Sequence, residues 1–166
     1  MHKNPAELLE WYRDEIAGES FFSALAHGTV EPERADKWRI LARLEHLVAD
    51  RLRTVLVTRD VTIPKAELDL RRGLESAQQY ASLTWDETLA RLRPELEGYV
   101  RDFQAAESRM PADLLSLARF VTAHERALVE FVNLELNREG HRSLEGVLRL
   151  LDESPRPQDE AYRSKS

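Results

Sequence analysis

Glutamate recurs in this chain at positions where a helix should be apolar. At about 100° per residue, Leu8, Tyr12, Glu15, Glu19, Phe22 and Ala26 fall on one line, with Leu9, Trp11, Ile16 and Leu25 flanking it. Glu15 and Glu19 therefore lie near the middle of an apolar stripe. Further on, Ile40, Leu41, Leu44, Leu47, Val48, Leu52 and Val55 form an apolar arc, and Glu45 falls within its edge. A third segment has Leu117, Val121, Leu128 and Val132 on its inner face, straddled by His124 and Glu125, with Glu135 further along the same side. A carboxylate buried in ionised form costs several kcal/mol unless something compensates it. The available compensations are a metal ion, an arginine, a shared proton or water. Arg51, near the inner face of the second segment, is one candidate partner.

Other chemistries find no residues to carry them. There is no cysteine, which removes disulfides, thiolate metal sites and cysteine nucleophiles. No Gly-x-Ser-x-Gly elbow and no glycine-rich phosphate loop occurs, and no organic cofactor is expected. His27, just before Gly28, reads as a cap on a last helical turn, and His46 faces outward on the wheel. Trp11, Trp38 and Phe131 read as core or interface residues. The balance of 24 Lys+Arg against 30 Asp+Glu gives a net charge of −6, so nothing draws the chain generally to nucleic acid or to an anionic membrane. Basic residues are interleaved with acids, as in Arg34-Ala35-Asp36-Lys37, the pattern of a solvated helix face. No stretch approaches the roughly 18 continuous apolar residues of a membrane span, and no apolar run follows Met1-His2-Lys3-Asn4-Pro5. The expectation is a cytoplasmic protein.

The elements that must position these residues are helices. The chain has 166 residues, 42% of them hydrophobic, 33% charged and only 6 of them glycine, a helix-rich globular composition. The first helix starts at Pro5 and stops at Gly28, and the second opens at Pro32 and fades near Thr58. Residues 59–83 form a long connection with a break at Pro64 and a shorter helix from Ala66 to Tyr80. Thr84-Trp85-Asp86-Glu87 has capping-box spacing and opens a third long helix through Phe103, which Pro94 should kink or divide. Met110-Pro111 starts the fourth, carrying Leu114 to Leu136. A short helix from Leu144 to Leu151 caps the bundle. Residues 1–151 make one domain, and 152–166 read as a flexible tail. Short turns make helices one and two, and three and four, antiparallel neighbours. The long connection between these pairs either crosses the bundle or decorates a plain up-down-up-down arrangement.

Parts of this pattern resemble the ferritin-like superfamily, and within it the rubrerythrin-type four-helix bundle. The first-helix pattern of that family is a Glu, an aromatic seven residues on, then Leu-Ala; here these are Glu15, Phe22 and Leu25-Ala26, beside Glu15-Ile16-Ala17-Gly18-Glu19. Its second-helix Leu-Ala-x-x-Glu is matched by Leu41-Ala42-Arg43-Leu44-Glu45, and Ala123-His124-Glu125-Arg126-Ala127-Leu128 is a comparable element in the fourth. The resemblance implies two helical hairpins joined by a crossover. It also implies a site for one or two iron or manganese ions, with Glu15, Glu45 and Glu125 as ligands, Glu19 and His124 completing or supporting the shell, and Tyr99 nearby. The pattern departs from the family's at the histidines three residues after each glutamate, which are Val48 and Leu128 here, and at the third-helix glutamate, whose level Tyr99 occupies. The function so implied is oxygen or peroxide activation, or ferrous iron handling. Two other readings fit the same residues. One is a non-catalytic interaction module with a buried Glu/His network, forming a dimer through apolar residues such as Trp11 and Phe21. The other is a small-molecule pocket whose carboxylates recognise a cationic ligand.

Overall fold

The computed structural model describes residues 4–153, and among these every regular element is helical. In chain order they are α1 (Asn4–Gly28), α2 (Pro32–Thr58), α3 (Glu67–Gln78), α4 (Trp85–Glu107), α5 (Ala112–Leu136) and α6 (Glu145–Asp152), with a 3-10 turn at Gly140–Arg142 before α6. Of the tail expected over 152–166, all but Asp152 and Glu153 lies outside the described residues. Among the described residues no helix is long and apolar enough to cross a membrane.

Local chemistry sets the helix ends. Pro32 occupies the first turn of α2, where a missing N–H is harmless. Both arms of the capping box close at α4: the Glu87 N–H donates to Thr84 Oγ1 at 3.2 Å, and the Thr84 N–H donates to Glu87 Oε2 at 2.8 Å. Pro94 behaves differently from the expectation, because α4 runs undivided from Trp85 to Glu107. The carbonyl that loses its donor belongs to Ala90, and both Ala90 and Pro94 are exposed. Water can satisfy that carbonyl, so the lost hydrogen bond is not a buried vacancy.

The direction of each helix follows from its end-to-end contacts. The start of α1 meets the end of α4, through the Glu7–Arg109 ion pair and the edge-on rings of Trp11 and Phe103. The start of α2 meets the start of α4 through Trp38 and Trp85, and meets the end of α5 through Trp38 and Phe131. Its own end reaches the start of α5 by the Arg59–Asp113 pair. Hence α1 and α2 form one antiparallel hairpin, α4 and α5 another, and α2 and α4 run parallel. The connection between the hairpins crosses the bundle. It carries α3 up the side of α1, where Arg13 pairs with Asp69 and Ser20 donates to the Leu70 carbonyl.

Two apolar clusters fill the interior. Leu8, Tyr12, Val48, Leu52, Phe103 and Val121 belong to one, and Phe22, Leu41, Leu44, Leu96, Leu128 and Phe131 to the other. The boundary falls between residues 12 and 22 on α1, 44 and 48 on α2, and 121 and 128 on α5. Glu15, Glu45, His124 and Glu125 all lie within those intervals, and all are buried. A polar layer therefore crosses the bundle at mid-height. Burying about 25 cal/mol per Å² of apolar surface on both sides of it holds the layer in register.

One charged segment departs from the sequence expectation. Lys37, in the stretch read as a solvated face, is buried and donates to Glu135 and, at 2.8 Å, to the Gly140 carbonyl. Ser143 Oγ donates to the same Glu135 carboxylate at 2.7 Å. The group fastens the 3-10 turn, and with it α6, to the ends of α2 and α5.

Candidate metal centre

Glu15 comes from α1, Glu45 from α2, and His124 and Glu125 from α5, so three helices converge on one point. The imidazole of His124 is the hub. Its Nε2 lies 3.2 Å from Glu15 Oε2, 3.6 Å from Glu45 Oε2 and 3.6 Å from Glu125 Oε1. The side chains of His124 and Glu15 are 0% and 2% exposed. The Nδ1 of His124 sits 2.6 Å from the Val121 carbonyl. A carbonyl only accepts, so Nδ1 carries a proton and donates it. In the neutral ring Nε2 is then a bare lone pair aimed at three carboxylates. His124 Nε2, Glu15 Oε2 and Glu125 Oε2 are buried without a hydrogen-bond partner. Such orphaned atoms are rare and call for an ion, a proton or a water.

Space for the carboxylates is built into the backbone. A Cβ on Gly18 would lie 2.8 Å from Glu45 Oε2, so the glycine on α1 makes room for the acid from α2. Crowding and burial also change the protonation chemistry. Burial pushes the Glu45 carboxyl well above its usual range, and the neighbouring Glu15 adds to the effect, with His124 opposing it. The Glu125 carboxyl is pushed up to about 8, by burial first, against the opposing pull of His124. For His124, burial disfavours the charged ring, yet the combined pull of Glu15, Glu125 and Glu45 holds its affinity for a proton well above the ordinary imidazole value.

Glu15, Glu45 and His124 each offer one donor atom, and these lie within 4.8 Å of one another. Donors about 2.0–2.2 Å from one ion are roughly 3–3.5 Å apart; from His124 Nε2 the 3.2 Å to Glu15 falls in that range, and the 3.6 Å to Glu45 and to Glu125 lies just beyond it. The Nδ1–H bond to a backbone carbonyl is also the usual outer support of a ligating histidine. Glu125 adds a third carboxylate. The cluster is a group that could hold a metal ion.

Beside it is a cavity of about 200 Å³. Glu15, Glu45 and Glu125 form one part of its wall. The rest comes from α1, α3, the turn after α3, and α4, and includes Arg72, Tyr80, Glu95 and Tyr99. Tyr80 Oη donates to Glu95 Oε2 at 3.3 Å, and burial, aided by Glu95, pushes the Tyr80 phenol up to about 12.

No protein-family model, curated protein or solved structure matches the chain.

Among the expected site residues, the structure brings together Glu15, Glu45, His124 and Glu125 but leaves Glu19 outside. Glu19 is one turn beyond the layer and pairs with the exposed His46, its carboxylate 3.1 Å from Nδ1. Tyr99 is at the right height, but it stands at the cavity wall, 42% exposed and stacked on Phe103. The Arg51 guanidinium lies over the Phe120 ring, 3.8 Å from its centroid. Trp11 is buried against Phe103, and Phe21 packs edge-on against Phe22 and Tyr80. Phe21 is only partly buried. Gly18 and the cavity had no signal in the helical wheel of any single segment, because both depend on a second helix.

Proposed function

We propose that this is a ferritin-like metalloprotein, holding one iron or manganese ion on Glu15, Glu45, His124 and Glu125. The observation that carries the reading is the set of orphaned buried atoms, Glu15 Oε2, His124 Nε2 and Glu125 Oε2, around a ring whose other nitrogen is already donating to Val121. A core network would be expected to satisfy its own members; with the ring neutral and the acids ionised, this one leaves acceptors facing acceptors, and needs either protons or a cation between them. The parallel course of α2 and α4 and the crossover between the hairpins support the ferritin-like part. An oxygen-rich donor set with one imidazole suits iron or manganese. One histidine, and no acid from α4 at the level of Tyr99, favour one ion over two.

Bound there, iron or manganese would supply oxygen- or peroxide-activating chemistry, or be the cargo itself. The chain's own part is more specific. Val121 fixes which nitrogen of His124 is presented. Gly18 admits the Glu45 carboxylate. Glu125, which holds its proton up to about pH 8 in the ion-free state, can release it when a cation arrives. The apolar clusters above and below exclude water from everything except the cavity side.

Metal analysis of untagged protein, followed by anaerobic titration with Fe(II) and Mn(II), tests the proposal. Uptake near one equivalent is expected. It should raise the melting temperature in wild type, with a gain of about 2.7 kcal/mol when free metal reaches 100 times Kd. Glu15→Gln should lose most of that gain. If wild-type protein takes up neither metal, the cluster is a polar network and the proposal fails.

A further inference from the structure

Charge is distributed unevenly around the cavity. Its wall contains five carboxylates, Asp14, Glu15, Glu45, Glu95 and Glu125, and one guanidinium, Arg72. Arg72 is already committed: it donates to Asp14 Oδ1 at 2.9 Å and to the Arg13 carbonyl at 3.2 Å. The three inner acids belong to the polar layer. That leaves Glu95, which is exposed and receives one hydrogen bond, from the neutral phenol of Tyr80. Arg91 rests over the Tyr80 ring at 4.6 Å and is tied to the Gln79 carbonyl and side chain; it is not part of the wall. Phe21, Phe22, Tyr99 and Phe103 add aromatic surface to the wall.

An anion entering here would meet the Glu95 carboxylate, and the one guanidinium of the wall is already held by Asp14 and the Arg13 carbonyl. A neutral apolar molecule would fit the walls but gain nothing from Glu95. We infer that the cavity binds a small organic ammonium ion, its charged head at Glu95 and its apolar body against Phe21, Phe22 and Phe103. A ring quadrupole attracts positive charge that comes within about 6 Å of its face, so aromatic rings in the wall suit a cation better than an anion. In the metal-free protein Glu125 Oε2, buried and unpartnered on the same wall, gives the pocket a second polar group deeper in. The inference stands apart from the metal reading, because Glu95 is not one of the acids of the polar layer.

Three compounds of near-identical shape separate the possibilities by calorimetric titration at pH 7: 2-phenylethylammonium, 2-phenylethanol and phenylacetate. Each is titrated into chelator-treated and Mn(II)-loaded protein. The ammonium ion should bind at least tenfold more tightly than the alcohol in both, and phenylacetate should not bind. Glu95→Gln, an exposed and therefore well-tolerated change, should bring the ammonium's affinity down to that of the alcohol while leaving Mn(II) uptake unchanged. Equal affinity for ammonium and alcohol, binding of phenylacetate, an unaffected Glu95→Gln or no binding by any of the three would each overturn the inference. A protein that fails to bind Mn(II) but still selects the ammonium sinks the metal proposal alone.

Discussion

The Nδ1–H of His124 is engaged by the Val121 carbonyl, and that one bond governs what the surrounding carboxylates can do. With the ring fixed, the choice is between an imidazolium sharing charge with Glu15, Glu45 and Glu125 and a neutral ring offering a lone pair to a cation. Space around those donors is equally constrained. The atoms that a Cβ on Gly18 would meet all belong to the Glu45 side chain, which can swing aside, so Gly18→Ala is a clean probe. In a helix interior alanine is favoured over glycine by about 1 kcal/mol. The variant should therefore keep or slightly raise the melting temperature in chelator while losing tenfold or more in Mn(II) affinity. Unchanged affinity would mean that Glu45 does not ligate. The buried acids were legible in sequence because each interrupts an apolar helical face. Glu19 looked equivalent on the wheel, but a wheel discards height: one turn up, the layer has ended and α2 presents His46 at the surface.

At the scale of the elements, the long helices and the capping box at Thr84 were legible to within a few residues, since apolar period and end signals agree there. Lys37 was not legible. It sits among charged neighbours, and its burial exists only because the turn after α5 folds back and places Glu135, Ser143 and the Gly140 carbonyl around it. Burying that pair makes it costly to break and cheap to replace. Lys37→Ala should leave the Glu135 carboxylate uncompensated and destabilise the protein by about 3–5 kcal/mol. The double variant Lys37→Met with Glu135→Leu, which removes both charges and keeps the volume, should recover much of that loss. Urea denaturation of the three proteins checks it. A single variant within 1 kcal/mol of wild type would show that the pair is effectively hydrated, and that α6 is held by its apolar face, Val147 with Leu150 and Leu151.

For the whole molecule, connection lengths predicted the two hairpins and allowed the crossover; ring and ion-pair contacts at the helix ends decided for it. The depth of the polar layer was not legible, because it arises from the relative heights of three helices. Its collective titration should be visible in stability. Glu125 is raised from about 4.5 to about 8, and Glu45 and His124 are also raised. In all three cases the folded state binds protons more tightly than the unfolded chain. Between pH 4.5 and 8 the unfolded chain gives up its carboxyl protons while the folded one retains them, so the stability of the metal-free protein should fall as pH rises. The limit is about 1.4 kcal/mol per pH unit for each proton retained. Asp86, held down by the guanidinium of Arg138, works in the opposite sense, but only below its ordinary value near pH 4, outside this window. A bound divalent cation inverts the slope, because the ligands must then be deprotonated and binding releases their protons. Denaturation free energies measured from pH 5 to 8, with chelator and again with saturating Mn(II), should therefore run in opposite directions and cross. Two parallel curves would leave the layer without a cation, and a chelated curve that rises with pH would mean that Glu45 and Glu125 are ionised in the folded protein.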